Sequence, residues 1–225
     1  DDVYGIKKWG NDILEILENG NIGLKNPFHP DNSPADLIKI IKSLNERGIS
    51  CPVLLRVTDY LAFRIKQINN SFFRAIREIR YKGEYKGVFP VKVNQQAQVI
   101  DRIVEFGKEF DFGLEVGSKP ELLIALAHDL SANSTIICNG IKDREFIHLA
   151  ILSIKIGFKT ILVLESPREL DLIIKISKEL NVRPLLGIRV KLTNKVSGNW
   201  SQSSGDRSAF GLSVEQVMEV INKLK

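Results

Sequence analysis

The sequence lacks the long apolar runs and leading signals that mark membrane and secreted proteins. Its longest uncharged apolar runs span about six residues, whereas a membrane-spanning helix needs roughly 20. Residues 1–4 include no basic region followed by an apolar core, so no secretory signal is visible. We therefore predict a cytoplasmic protein that has no membrane partner.

Cysteine and histidine are also scarce, with two and three residues respectively. Cys51 and Cys138 have no CxxC neighbour and no spacing typical of metal ligands, so we expect reduced, packed thiols. The histidines His29, His128 and His148 have no paired ligand near them in the sequence. These absences argue against a zinc site and against a hydrolase triad.

The sequence has a small excess of positive charge that is not concentrated in one segment. The 32 Lys and Arg outnumber the 27 Asp and Glu, for a net charge of +5. The basic residues form only a loose cluster between positions 64 and 86, without the dense stripe and interleaved aromatic residues of a nucleic-acid surface. We predict no nucleic-acid partner. The 44% hydrophobic content instead indicates a globular chain with a packed core.

Helical patterns dominate the first third of the chain. Asp12–Glu18 is predicted to form a brief helix, and a second helix is predicted from a Ser33 cap to Gly48. Cys51–Val57 reads as a short strand or extended connection. Thr58–Arg80 carries apolar residues at intervals of three and four, which predicts a long amphipathic helix.

From residue 87 onward, short apolar runs alternate with helical patterns. Strands that alternate with helices indicate a parallel sheet, and the absence of polar alternation fits strands covered on both faces. The apolar runs begin near Val88, Leu114, Ile136, Ile161 and Leu185. The helical stretches between them are Gln96–Phe106, Pro120–Leu130, Asp143–Ile156 and Pro167–Leu180.

No GxGxxG or Walker-type loop follows any of the five strands, which disfavours a nucleotide-binding open sheet. A complete eightfold barrel takes about 250 residues. The chain from Gly87 onward is long enough for five strand–helix units and the start of a sixth. The fold class we predict is α/β, a partial (β/α)8 barrel preceded by a helical N-terminal segment.

Lys92 is the residue that fits this pattern least, because it stands inside an otherwise apolar strand in the segment Gly87–Gln96. Two interpretations are open. Lys92 lies at the carboxyl end of the strand and its ammonium reaches solvent. Alternatively, the ammonium is desolvated, loses its proton readily and acts as an amine nucleophile toward a carbonyl at the carboxyl end of the barrel.

Several segments of the chain resemble the biosynthetic arginine decarboxylases, a family of enzymes that depend on pyridoxal phosphate. The segment around Lys92 resembles the lysine segment of that family, and the other matches follow in the same order along the chain. The matching segments are Tyr4–Gly10, Pro52–Arg56, Tyr85–Gln95, Gly113–Leu122, Ile137–Asp143 and Ser204–Leu212.

The resemblance implies an alanine-racemase-like fold, in which a barrel is joined to a β-domain. Residues 1–57 would be the N-terminal segment that joins the β-domain, and residues 58–225 the first part of the pyridoxal-phosphate-binding barrel. The implied reaction converts L-arginine to agmatine and carbon dioxide in polyamine and spermidine biosynthesis. Lys92 would carry pyridoxal phosphate as a Schiff base.

The same resemblance implies further site residues and partners. Glu115 matches an acidic position that lines the active site, although a charged residue at a strand end explains it equally well. Arg189 matches an active-site arginine and would contact the phenolic oxygen of the cofactor. Magnesium accompanies some members, although the sequence contains no carboxylate cluster with ligand spacing, and the full-length enzyme is expected to be a homo-oligomer.

The chain departs from the family in length and at one position. Many relatives carry a lysine where this chain has Ala209. The family's phosphate loop and the acid facing the pyridine nitrogen would fall after Lys225, so we expect an N-terminal fragment that is inactive alone. Two alternatives stay open: a non-catalytic pyridoxal-phosphate-binding protein or inactive subunit of the same superfamily, and an aldolase-type barrel.

Overall fold

The computed structural model of the chain describes residues 3–191 and 210–225. Two compact units make up the chain, Asp1–Asn70 and Ser71–Lys225, and the boundary between them falls inside a long helix. The assignment of residues 1–57 to a β-domain stays a prediction. No helix in the described ranges combines the length and apolar character needed to cross a membrane.

The first unit contains a small antiparallel sheet beside short helices. The strands β1, β2 and β3 pair in that order, with Leu14 opposite Leu24 and Gly23 opposite Asp36. The last helix of this series, α3, runs on into the second unit. The elements are α1 (Ile6–Trp9), β1 (Leu14–Ile16), β2 (Ile22–Leu24), β3 (Ala35–Asp36), α2 (Leu37–Glu46) and α3 (Thr58–Glu78).

Two predictions for this unit are wrong. Asp12–Glu18 contains strand β1 instead of a helix, because a tight turn at Gly20 (φ +79°) brings β2 back alongside it. Helix α2 begins after Asp36 and not after Ser33. Cys51–Val57 contains no strand, which leaves the extended connection of the two predicted alternatives.

Asp36 caps α2 with one carboxylate oxygen and anchors the preceding turn with the other. Its Oδ1 accepts from the backbone amides of Ile38 (2.9 Å) and Lys39 (3.2 Å). Its Oδ2 accepts from the side-chain amides of Asn21 (2.9 Å) and Asn19 (3.2 Å). These donors, with Asn21 the strongest, lower the pKa of Asp36 to about 2.

The second unit is a five-stranded parallel sheet with a helix after each strand. Its strand order, β4-β5-β6-β7-β8, follows the chain without reversal, whereas a doubly wound nucleotide-binding sheet reverses its order. The predicted strand–helix alternation is confirmed. The elements are β4 (Val88–Pro90), α4 (Ala97–Gly107), β5 (Gly113–Val116), α5 (Lys119–Leu126), β6 (Thr135–Cys138), α6 (Arg144–Lys155), β7 (Lys159–Leu164), α7 (Pro167–Leu180), β8 (Leu185–Ile188) and α8 (Val214–Leu224).

The core of this unit lies between the sheet and its helices. Alternate strand residues are fully buried there, and helix residues such as Ile147 and Ile173 pack in the same cluster. Burial raises the pKa of the Cys138 thiol to about 12. Because strand side chains alternate between faces, Glu115 points to the opposite, barrel-interior face. The buried strand residues are Leu114, Val116, Ile136, Cys138, Leu162 and Leu164.

The parallel arrangement continues one step beyond β8. Val190 forms a parallel bridge with Leu212, and the backbone amide of Lys191 donates to the carbonyl of Leu212 (2.8 Å). Ser213 then caps α8 in a capping box with Gln216. In the described ranges β4 pairs only with β5, so these residues form an open segment of a barrel wall.

Candidate active site

The predicted site residues meet at one edge of the parallel sheet. Parallel strands end at the same edge, so residues at their carboxyl ends gather there even when they are far apart in sequence. Lys92 follows β4, Glu115 lies in β5 and Arg189 follows β8. No hydrogen bond joins these three side chains to one another within residues 3–191.

Lys92 lies just beyond its strand. Strand β4 ends at Pro90, and Val91–Val93 form one turn of 3₁₀ helix in which Val91 is fully buried and the Lys92 side chain is exposed. Of the two positions that the sequence allowed, the structure has the one in which the ammonium reaches solvent. The desolvated ammonium of the other interpretation is not observed in this chain, because strand β4 ends two residues before Lys92.

Glu115 is a buried acid with one oxygen left over. It is 7% exposed and pairs in register with Pro90 of β4. Pro90 precedes Lys92 by two residues. Its Oε1 accepts from Nδ2 of Asn139 (2.9 Å), while its Oε2 is buried without a hydrogen-bond partner. A buried carboxylate oxygen without a donor is costly, which makes Oε2 a candidate acceptor for a ligand group.

Arg189 lies at the far side of the same edge, paired with Glu165. Its Nη1 donates to Oε1 of Glu165 at 3.1 Å and lies 3.4 Å from Oε2. The guanidinium carbon lies 5.2 Å from the centre of the Phe210 ring, within cation–π range. Half of the Arg189 side chain is exposed at the sheet edge.

The sequence reasoning missed the glutamates that hold the loops of this edge. Glu121 accepts from the backbone amide of Gly117 (2.8 Å) and from Nε2 of Gln95 (3.2 Å), in the loop after β4. Glu169 accepts in the same way from the amide of Glu165 (2.9 Å). Both follow a helix-capping serine by three residues, a capping-box spacing that was readable in the sequence.

Lys142 is a buried cation that the sequence reasoning also missed. Its side chain is fully buried, and its ammonium bonds Oε2 of Glu169 (3.4 Å) and the carbonyl of Gly140. Its backbone amide donates to Oε1 of Glu169 (2.8 Å). Burial lowers the pKa of the Lys142 ammonium, and the neighbouring Glu169 opposes that shift. A lone charge on a strand-end loop gave no signal of this pairing.

The chemistry of the sheet edge fits an aldehyde cofactor. An exposed lysine (Lys92), an unpartnered carboxylate oxygen (Glu115) and an arginine whose side chain is half exposed (Arg189) all lie along it. The amide of Gly117 is already bonded by Glu121, so it is part of the helix start and does not offer a free anion site. Residues 3–191 and 210–225 contain no group of three or more His, Cys, Asp or Glu that could hold a metal ion.

The chain is similar in sequence to a known family of enzymes. The family model described as pyridoxal-dependent decarboxylase, pyridoxal binding domain, matches residues 65–225. The biosynthetic arginine decarboxylase of Prochlorococcus marinus is 47% identical over 99% of this chain, and that of Gloeobacter violaceus is 45% identical over 100%. The chain spans about a third of the length of these relatives, 34% and 35% respectively.

Solved structures agree with the fold. The biosynthetic arginine decarboxylase of Campylobacter jejuni superimposes with a TM-score of 0.83 at 34% identity, covering 98% of this chain and 34% of that chain. Diaminopimelate decarboxylase of M. jannaschii, solved with L-lysine, gives a TM-score of 0.70 at 22% identity, covering 95% and 44%, which supports the fold alone. The predicted partial barrel of alanine-racemase-like type is confirmed. Ala209 lies outside the described residues.

Proposed function

The chain belongs to the pyridoxal-dependent decarboxylase family, and from that premise we propose that it is part of an arginine decarboxylase that converts L-arginine to agmatine and carbon dioxide. The observation that carries the proposal is the likeness to proteins of that name over essentially the whole chain, at 45% identity or more. Three residues of the sheet edge, Lys92, Glu115 and Arg189, support the proposal as part of the site that such a reaction needs.

Lys92 is the residue that would hold pyridoxal phosphate covalently, through its ε-amine. The cofactor, when bound, supplies an electron sink for the carbanion left when carbon dioxide departs. Glu115 would accept a hydrogen bond at Oε2, the atom that now lacks a donor. Arg189, whose side chain is half exposed, would direct its guanidinium toward an anionic oxygen of the cofactor, since a planar guanidinium suits such a group.

The wider context is proposed on the same premise. We infer a cytoplasmic, homo-oligomeric enzyme of polyamine and spermidine biosynthesis that has no nucleic-acid partner. Magnesium as a second cofactor is proposed from the resemblance alone, and the described residues contain no group of three or more His, Cys, Asp or Glu that could hold it. Dialysis against a chelator, followed by the assay below, tests the magnesium hypothesis.

The experiment is a carbon dioxide release assay on the full-length protein with L-arginine and pyridoxal phosphate. Lys92→Ala is expected to lower kcat by a hundredfold or more, on the order of what a lost proton-transferring group costs. Borohydride reduction of the wild-type protein is expected to label Lys92 selectively. The matched control is Lys159→Ala, an exposed lysine at the start of β7 on the opposite edge of the sheet, which should keep both activity and labelling.

The non-catalytic alternative predicts a different combination of results. A cofactor carrier or inactive subunit would be labelled at Lys92 but would release no carbon dioxide from arginine. Absence of release from a folded, labelled full-length protein would therefore overturn the decarboxylase proposal while leaving the cofactor site intact. Labelling scattered over surface lysines would overturn both.

A further inference from the structure

The acid that holds Arg189 is more deeply buried than Arg189 itself. The Glu165 side chain has no exposed surface, whereas half of the Arg189 side chain is exposed. Besides Arg189, the Glu165 carboxylate accepts from the backbone amide of Gly140 (3.0 Å), in the loop after β6. A buried carboxylate fixed from a second strand end provides a rigid anchor for a long, flexible side chain.

A second buried pair lies behind Glu165. Glu169 accepts from the Glu165 backbone amide (2.9 Å), and Lys142 donates to Glu169 through both its backbone amide and its ammonium. The Lys142 and Glu169 side chains are 0% and 4% exposed. Two buried carboxylates thus each bond one cation. Glu169 bonds Lys142, whose side chain is fully buried, and Glu165 bonds Arg189, whose side chain is half exposed.

Glu165 can therefore orient Arg189 without touching a ligand. The Arg189 guanidinium bonds Glu165 and also lies within cation–π range of the Phe210 ring. The backbone of Arg189 is also tied to β7, because its amide donates to the carbonyl of Leu164 (3.1 Å). These contacts restrict the side chain at both ends, while its exposed surface is left free at the sheet edge.

We propose that Glu165 is a positioning residue, which fixes the Arg189 guanidinium at the carboxyl edge of the sheet and is itself held by the buried Lys142–Glu169 pair. The inference rests on the proposed function, because it takes Arg189 to contact pyridoxal phosphate. It adds a residue that sequence reasoning did not single out, and it assigns the Lys142–Glu169 pair a role in the geometry of the site.

The test is a double-mutant cycle in the full-length protein, with Glu165→Gln, Arg189→Lys and the double variant. Arg189→Lys keeps the charge that balances Glu165 but removes the planar fork. The readouts are the Kd for pyridoxal phosphate, from the absorbance of titrated apoprotein, and the thermal midpoint of the apoprotein. If Glu165→Gln fails to fold, Glu165→Asp takes its place in the cycle.

We expect Glu165→Gln to raise the Kd by about tenfold, as loss of an outer supporting contact typically does. Arg189→Lys, which removes a direct contact, should raise it at least as much, and the double variant should raise it no further than Arg189→Lys alone. A structural role for Glu165 predicts instead that the two effects multiply, which overturns the inference. Glu179→Gln is the matched control, since Glu179 pairs with Arg144 on the exposed surface (3.2 Å) and should leave the Kd unchanged.

The two proposals fail in different ways. If Arg189→Lys leaves the Kd unchanged, Arg189 does not contact the cofactor, and both its assigned role and the inference are wrong. If Arg189→Lys raises the Kd and Glu165→Gln does not, the role of Arg189 stands and Glu165 does not position it. Carbon dioxide release by the wild-type protein reports on the decarboxylase proposal independently of both results.

Discussion

The Asp36 carboxylate accepts hydrogen bonds from four donors. Protonation of Asp36 should therefore change the free energy of unfolding. Its pKa in the folded protein is about 2, against 3.8 for an ordinary aspartate. Because the folded pKa is the lower one, the stabilisation is fully present above pH 4, is lost as the pH falls toward 2, and is absent below that.

We predict that Asp36→Asn lowers the free energy of unfolding at pH 6 and that the difference from wild type shrinks between pH 4 and pH 2. Asparagine keeps a cap for α2 but accepts with only one oxygen, so it cannot serve both the cap and the two asparagines. Urea unfolding followed by circular dichroism at several pH values measures the effect.

The control for that experiment is Asp31→Asn, an exposed acid in the same unit. It should leave the pH profile of the wild type unchanged. An Asp36→Asn difference that stays constant from pH 6 to pH 2 would contradict the prediction, because it would mean that the ionised form of Asp36 carries no extra stabilisation.

Single residues were predictable from the sequence where a charge breaks an apolar pattern. Lys92 and Arg189 stand out for that reason, and both lie at the carboxyl edge of the sheet. Asn139 and Glu165 gave no such signal, because a polar residue after a strand is ordinary. Their importance depends on which strand ends become neighbours, and that is a property of the sheet.

Gly140 is a position at which a strand-to-helix loop has no room for a side chain. Its φ is +74°, and a Cβ there would lie 2.7 Å from the carbonyl oxygen of Gly117 on the neighbouring loop. The Gly140 amide also bonds Glu165, so a shift of this loop would disturb the carboxylate that holds Arg189.

We predict that Gly140→Ala destabilises the protein by about 2 kcal/mol or more, the sum of a strained backbone and a steric contact. The matched variant is Gly48→Ala, whose φ is +80° with no atom within 4 Å, and which should cost about 1 kcal/mol through backbone strain alone. Chemical denaturation measures both. Equal losses for the two variants would show that the contact with Gly117 is relieved without cost.

Elements were predicted best where the hydrophobic pattern is long, as in the helices, or where short apolar runs recur at regular intervals, as in the parallel strands. The helices α3 and α4–α7 and the strands β4–β8 all occur where the pattern indicates them. Strand β1 was not predicted, because its three residues belong to no recurring series of strands and helices and have no resolvable period of their own. Its identity depends on pairing with Ile22–Leu24, a contact made across a turn.

At the scale of the whole molecule, the open wall of the barrel should make the 225-residue chain associate with itself. In the described ranges β4 bonds only β5, which leaves its other edge with unpaired amides and carbonyls. We predict concentration-dependent larger species in size-exclusion chromatography. Val88→Lys, a charge in this edge strand, should shift the chain toward monomer. A single monomer peak for the wild-type chain at all concentrations would contradict the prediction.

The barrel class was predictable from the sequence because strand and helix patterns recur at regular intervals, and the absence of phosphate-binding glycine loops excluded the main competitor. The geometry of the site was not predictable in the same way. Glu115 and Arg189 are 74 positions apart and reach the same edge only because three strand pairings stand between them in register.

The uninterrupted strand order has a consequence for how the protein is made. Each strand of the second unit bonds the strand synthesised just before it, as in the pairings of Gly113 with Val88 and of Ile136 with Leu114. Strands that are consecutive in the chain close the shortest loops that a parallel sheet allows, and a chain leaving the ribosome offers its N-terminal strands first. The sheet can therefore grow strand by strand during translation, and the edge that carries Lys92 and Glu115 is assembled before Arg189 has been added.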